Sequence, residues 1–165
     1  MKKGTPQEDW SVLSRNKNGL VYLTANDWAL IIDKASRQSF KAGQPIVQRG
    51  KRTHGLYLLS KGTASAQIPS QGPSRRIEAG EVIGEISFLD ELPATANVVA
   101  GDPVDALFID RPTLQSLFEL FPHLGSRFYQ SMAAILSRRL REMIGPAPSA
   151  VQVAPTPAAA ATTKK

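Results

Sequence analysis

The chain has 165 residues, 42% apolar and 21% charged, enough for one domain with a core that needs no covalent staples. It contains no cysteine, which excludes disulfides, thiolate metal sites and a cysteine nucleophile, and its two histidines, His54 and His123, stand far apart. The balance of 20 Lys+Arg against 14 Asp+Glu gives +6, which taken alone suggests an anionic partner such as nucleic acid or a membrane surface.

Residues 1–19 read as a flexible lead-in. Met1-Lys2-Lys3 is followed by no apolar stretch of the kind a signal peptide carries, and Trp10, Val12 and Leu13 are available to dock on the domain. No apolar run approaches the roughly 20 residues a membrane helix needs. Together with the absence of cysteine, this makes a cytoplasmic protein the expectation.

The domain is expected over 20–144. Thr24-Ala25-Asn26-Asp27 resembles a capping box with Asp in the place of Glu, and Trp28, Ile31, Ile32 and Ala35 then recur at helical spacing. From Phe40 to Ile109 the chain breaks into short apolar pieces punctuated by glycine and turn pairs. These are Ile46–Gln48, Gly55–Leu59, Ala64–Ile68, Arg76–Glu78, Asn97–Ala100 and Ala106–Ile109. Short strands at such spacing predict a sandwich or barrel-like roll. Asp110 then caps a helix with Pro112 in its first turn, its buried face expected at Leu114, Leu117, Phe118 and Phe121. After Pro122 a longer helix runs to about Met143, with Leu124, Phe128, Met132, Ile135, Leu136, Leu140 and Met143 as its apolar stripe. From Gly145 the chain holds 7 Ala and 4 Pro in 21 residues and no aromatic, the composition of a disordered Pro/Ala-rich tail over 145–165.

Locating the charge changes its meaning. Leu20–Ile144 carries 14 Lys+Arg against 12 Asp+Glu, a net of +2, so most of the excess lies on the two ends. Electrostatic nucleic-acid binding through those ends is the weakest of the functional readings, and no DNA-reading segment is expected after the last helix. Asp90 and Glu91 are adjacent and point apart on a helix, so they form no acid/base couple. With no nucleophile–base arrangement or metal cluster, a non-enzymatic protein without a cofactor is expected.

The stretch Ala79–Ala100, AGEVIGEISFLDELPATANVVA, carries the most specific signal. It comes after Phe40-Lys41-Ala42-Gly43, Gly50, Leu56–Leu59 and Gly62 in order, and precedes the two final helices. In that series the chain resembles the cyclic-nucleotide-binding domain family, the regulatory module of catabolite-activator and protein kinase A regulatory type, over about residues 20 to 144. The resemblance implies a mainly β fold with flanking helices: a double-stranded, jelly-roll-like β-roll with a short N-terminal helix and two C-terminal helices. It also implies a phosphate-binding cassette opened by Gly84-Glu85. There Glu85 would accept from a ribose hydroxyl, and the backbone amides of Ile86 and Ser87 would face the cyclic phosphate.

The family's cassette arginine, nine residues after the glutamate, is here Ala94. A charge-assisted arginine–phosphate hydrogen bond is worth about 1.5–3 kcal/mol, so its loss weakens cyclic-monophosphate binding roughly 10- to 150-fold. Arg75 and Arg76 are candidates to replace it, though such a pair before a strand commonly marks a solvated turn. Three readings of the pocket stay open. It binds cyclic AMP or cyclic GMP through Glu85 and the Ala94–Thr95 amides with the Thr95 hydroxyl; it takes another small molecule such as a cyclic dinucleotide; or the roll is a ligand-free scaffold in which local amides satisfy Glu85. Arg138, Arg139 and Arg141 are expected to complement the dipole of the last helix. Output is expected through residues 122–144, by a protein partner or a homodimer, in what reads as a bacterial regulatory protein.

Overall fold

Among the described residues eight strands form two four-stranded antiparallel sheets, with helices packed on the outer face of one of them. The computed structural model of the protein describes residues 11–16, 19–68, 72 and 74–145. The elements in chain order are α1 (Ala25–Lys34), β1 (Ser36–Phe40), β2 (Pro45–Val47), β3 (Gly55–Lys61), β4 (Thr63–Gln67), β5 (Arg75–Glu78) and β6 (Val82–Ile83). They continue with α2 (Glu85–Asp90), β7 (Asn97–Ala100), β8 (Val104–Asp110), α3 (Arg111–Leu120) and α4 (Pro122–Ile144). One sheet has the order β1-β8-β3-β6 and the other β2-β7-β4-β5.

The central pair β3–β8 explains the layering. Along β3, Leu56 and Leu58 join the core shared with the helices, whereas Leu59 joins the core between the sheets. On β8, Leu107 and Ile109 face the helices, and Val104 and Ala106 face the second sheet. Both faces are buried, which is why these two segments read as nearly continuous apolar runs rather than alternating ones. The helix-side core is built from Trp28, Ile31, Leu114, Phe128, Met132 and Ile135, and includes Leu13 and Leu20. Leu13 is fully buried, so the core reaches back before residue 20; Trp10 lies outside the described residues.

The helix caps agree with the sequence signals. Thr24 and Asp27 make the reciprocal capping box, and Asp110 accepts from the Thr113 amide at 2.8 Å with Pro112 in the first turn of α3. Asp27 does more than cap. Its two carboxylate oxygens each take a hydrogen bond of 2.7 Å from Arg127, tying α1 to α4 across 100 residues of sequence. That fork holds the Asp27 carboxyl at about 2, below the usual 3.8, with the Thr24 bonds adding to it against the opposing effect of burial.

Several sequence expectations need correction. The polar segment Ser36–Phe40 is a strand, because it completes the edge of a sheet by pairing with β8 (Ser36 opposite Phe108 through Phe40 opposite Val104). Phe121 is 42% exposed rather than buried, since α3 ends there. Leu140 and Met143, expected on the buried stripe, are 55% and 64% exposed because α4 runs on past the edge of the core. The expected Pro/Ala-rich tail lies outside the described residues beyond Gly145. No helix among the described residues is long and apolar enough to cross a membrane.

Candidate ligand-binding site

The site begins with a turn that only glycine accepts comfortably. Gly84 has φ +93°, between the end of β6 and the start of α2, and a Cβ there would stand 3.2 Å from the Gly55 carbonyl oxygen. The turn delivers Glu85 to the first position of the six-residue α2. Its N-terminal end, together with Val47 of β2, Ala66 of β4, Ile77 of β5, Val98 of β7 and Leu136 of α4, lines a cavity of about 580 Å³. All six residues singled out from sequence line this cavity: Gly84, Glu85, Ser87 and Ala94 are buried or partly buried on its wall, and Ile86 and Thr95 stand at exposed positions of it.

The far end of α2 is held by Arg111, which no sequence signal singles out. As the first residue of α3 it donates to the Phe88 carbonyl, to the Ser87 carbonyl at 3.3 Å and to Glu91 at 3.4 Å. Its guanidinium also lies 4.5 Å from the centroid of the Phe88 ring. A cation at the C-terminal carbonyls suits the helix dipole. Glu91, next in the chain, has φ +60°, so the cassette helix ends in a left-handed turn.

Glu85 is buried and its partner is not a local amide. Arg139, from the last turns of α4, donates to the Glu85 carboxylate and to the Val82 carbonyl at 3.3 Å. The Arg139 side chain is 16% exposed. Burial lowers its pKa below the ordinary guanidinium value, and the Glu85 charge opposes that effect. Its Nε is buried without a hydrogen-bond partner. Arg139 therefore serves a second purpose besides ending a helix with positive charge.

Arg75 and Arg76 separate. Arg76 is exposed and pairs with Glu78 at 3.3 Å, as a solvated turn residue would. Arg75 instead lines the cavity from within β5 and bonds the buried Glu81 at 2.7 Å. Glu81 in turn accepts from the Glu78 amide at 3.3 Å. Position 94 itself carries no cation. Ala94 is buried with its amide donating to the Lys51 carbonyl at 2.9 Å, and its carbonyl accepts from the Gly50 amide at 2.8 Å. The Ala94 amide is thus already committed and is not free for a phosphate, which leaves Thr95 as the polar group of that loop at the cavity. Among the described residues no group of three or more His, Asp and Glu is placed to hold a metal.

The profile of the family described as "Cyclic nucleotide-binding domain" matches residues 37–120, from β1 to the end of α3 and through the whole cassette. The chain belongs to that family. The Thermus thermophilus cyclic AMP receptor protein is 31% identical over 117 residues, which cover 68% of this chain and 52% of that protein. Cyclic GMP-binding protein C of Dictyostelium discoideum is 28% identical over 156 residues, 86% of this chain but 6% of its own length. Among solved structures, a cyclic nucleotide-binding domain from Methylobacillus flagellatus superposes with a TM-score of 0.71 at 22% identity, covering 84% of this chain and 79% of that one. That likeness establishes the β-roll fold with its flanking helices. The chain thus spans about half or less of the length of these two curated relatives.

Proposed function

We propose that this cyclic nucleotide-binding domain is a non-enzymatic regulatory module whose ligand pocket is the cavity at Gly84, Glu85, Ile86, Ser87, Ala94 and Thr95. It takes cyclic nucleotides weakly, or takes an altered ligand such as a cyclic dinucleotide. The observation that carries this reading is the conjunction of a preserved Gly84-Glu85 turn on a 580 Å³ cavity with Ala94 at the position where the family places its arginine. The pocket keeps a carboxylate acceptor for hydroxyl groups and lacks an arginine at position 94, and the two guanidiniums on its wall, Arg75 and Arg139, are paired with Glu81 and Glu85.

Output passes through α4. That helix holds one wall of the cavity with Leu136 and Arg139, and it carries Leu140, Met143 and Ile144 out at 55%, 64% and 73% exposure. An apolar helix end attached to a ligand pocket suits contact with a protein partner or a second copy of the chain. The absence of cysteine supports a cytoplasmic setting.

Calorimetric titration with cyclic AMP, cyclic GMP and cyclic di-GMP tests the reading. Heat that disappears in Glu85→Ala supports it, and silence at millimolar ligand removes it. A second reading, a ligand-independent scaffold, draws on one specific observation: Glu85 already has a charged partner in Arg139 without any ligand.

A further inference from the structure

The residue that meets the cassette glutamate comes from the helix that would report on ligand binding. Glu85 sits at the start of α2 and Arg139 five residues from the end of α4, 54 positions apart in sequence. Both side chains are largely buried, and both line the same cavity. Beyond Ile135 the end of α4 faces the cavity with Leu136, Leu140 and Met143. Ile135 is its last fully buried apolar residue, whereas Leu140, Met143 and Ile144 are exposed. Arg139, with its bonds to Glu85 and to the Val82 carbonyl, is therefore a main attachment of the final two turns to the β-roll.

From this juxtaposition we propose that Arg139 is a built-in occupant of the cassette: a latch that closes the end of α4 over the cavity and competes with incoming ligand for Glu85. The proposal rests on the reading of Glu85 as the ligand's hydroxyl acceptor. A carboxylate engaged with a guanidinium offers fewer lone pairs to a diol, so a ligand that takes Glu85 through its hydroxyls displaces Arg139. A displaced Arg139 removes the buried ion pair that holds α4 beyond Ile135, which turns occupancy of the pocket into movement of the helix end. The two arginines bracketing α2 then have opposite roles. Arg111 fixes the C-terminal end of the cassette to α3, while Arg139 holds its N-terminal end in an exchangeable way.

Hydrogen exchange followed by mass spectrometry on the full chain, without ligand, tests the latch. Arg139→Gln and the near-isosteric Glu85→Gln are each expected to speed exchange over residues 136–144 by roughly tenfold or more, the worth of one charge-assisted bond. The double variant is expected to go no further than either single one. Cyclic AMP titrated calorimetrically into Arg139→Gln is expected to bind more tightly than into the wild type. Faster exchange with calorimetric silence in every variant upholds Arg139 as the attachment of α4 but overturns its competition with a ligand, and it removes the sensor reading as well. Unchanged exchange in both single variants overturns the proposal. So does cyclic AMP binding that is unchanged or weakened in Arg139→Gln, since the arginine would then be bystander or ligand contact rather than competitor.

Discussion

Restoring an arginine at position 94 is the most informative single change in the cassette. The backbone there is pinned on both sides, by the Ala94 amide on the Lys51 carbonyl at 2.9 Å and the Gly50 amide on the Ala94 carbonyl at 2.8 Å. Ala94 is part of the wall of the cavity of about 580 Å³, so a longer side chain there is grafted at the edge of that space. The two guanidiniums already at the cavity are paired, Arg75 with Glu81 and Arg139 with Glu85, so the new one adds a cation with no carboxylate partner of its own. A charge-assisted bond of about 1.5–3 kcal/mol predicts that Ala94→Arg binds cyclic AMP roughly 10- to 150-fold more tightly than the wild type. The gain sits at the lower end while Arg139 remains and rises when Ala94→Arg is combined with Arg139→Gln. Calorimetry with cyclic AMP, cyclic GMP and uncharged adenosine reads the effect. Adenosine has no phosphate and should gain nothing. A folded Ala94→Arg protein that binds cyclic AMP no better than wild type, or that gains equally for adenosine, refutes the reasoning.

Three other outcomes are set by the same geometry and charge placement. The Asp27 carboxyl is held at about 2 against an ordinary 3.8, so it stabilises the fold above that ordinary value by about 2 kcal/mol and loses this as pH falls from about 5 towards 2; thermal denaturation should show the gap between wild type and Asp27→Asn closing across that window, and a constant gap would contradict the assignment. Gly84→Ala should cost about 1–3 kcal/mol in urea denaturation, because φ +93° is unfavourable for a Cβ that would also crowd the Gly55 carbonyl, and an unperturbed midpoint would show that the turn relaxes freely. Any salt-dependent retention on DNA should vanish once Lys2, Lys3, Arg15, Lys17, Lys164 and Lys165 are changed to Gln, since residues 20–144 have a net charge of only +2; retention by that variant would contradict this placement of charge.

The features legible in the sequence are local, and those it conceals are long-range. The Thr24–Asp27 cap, the Asp110–Pro112 start of α3 and the Gly84-Glu85 turn are each written within a few residues, and each appears in the fold. The strand Ser36–Phe40 is hidden because its residues are mostly polar and exposed, and its identity comes from the partner β8. The partners of the three arginines at the site are hidden for a related reason, although Arg75 itself is a candidate pocket cation from sequence. In sequence Arg111, Arg139 and Arg75 resemble solvated charges or helix-end cations, since nothing in their immediate neighbours announces Phe88, Glu85 or Glu81. Arg127 stands off the apolar stripe of its helix, and its fork on Asp27 joins helices that are separated by the entire β-roll in sequence. Only the absence of arginine at position 94 is readable, because a family pattern specifies where to look.

Two-dimensional NMR of the isotopically labelled full chain titrated with cyclic AMP tests the central claim most directly. A ligand site at the cassette predicts that the largest shifts fall on the amides of Gly84–Ser87 and Thr95, accompanied by movement of the Arg139 side-chain signal as its bond to Glu85 is exchanged for the ligand's. Spectra unchanged at millimolar ligand, or shifts scattered over the basic surface with the cassette untouched, would contradict it.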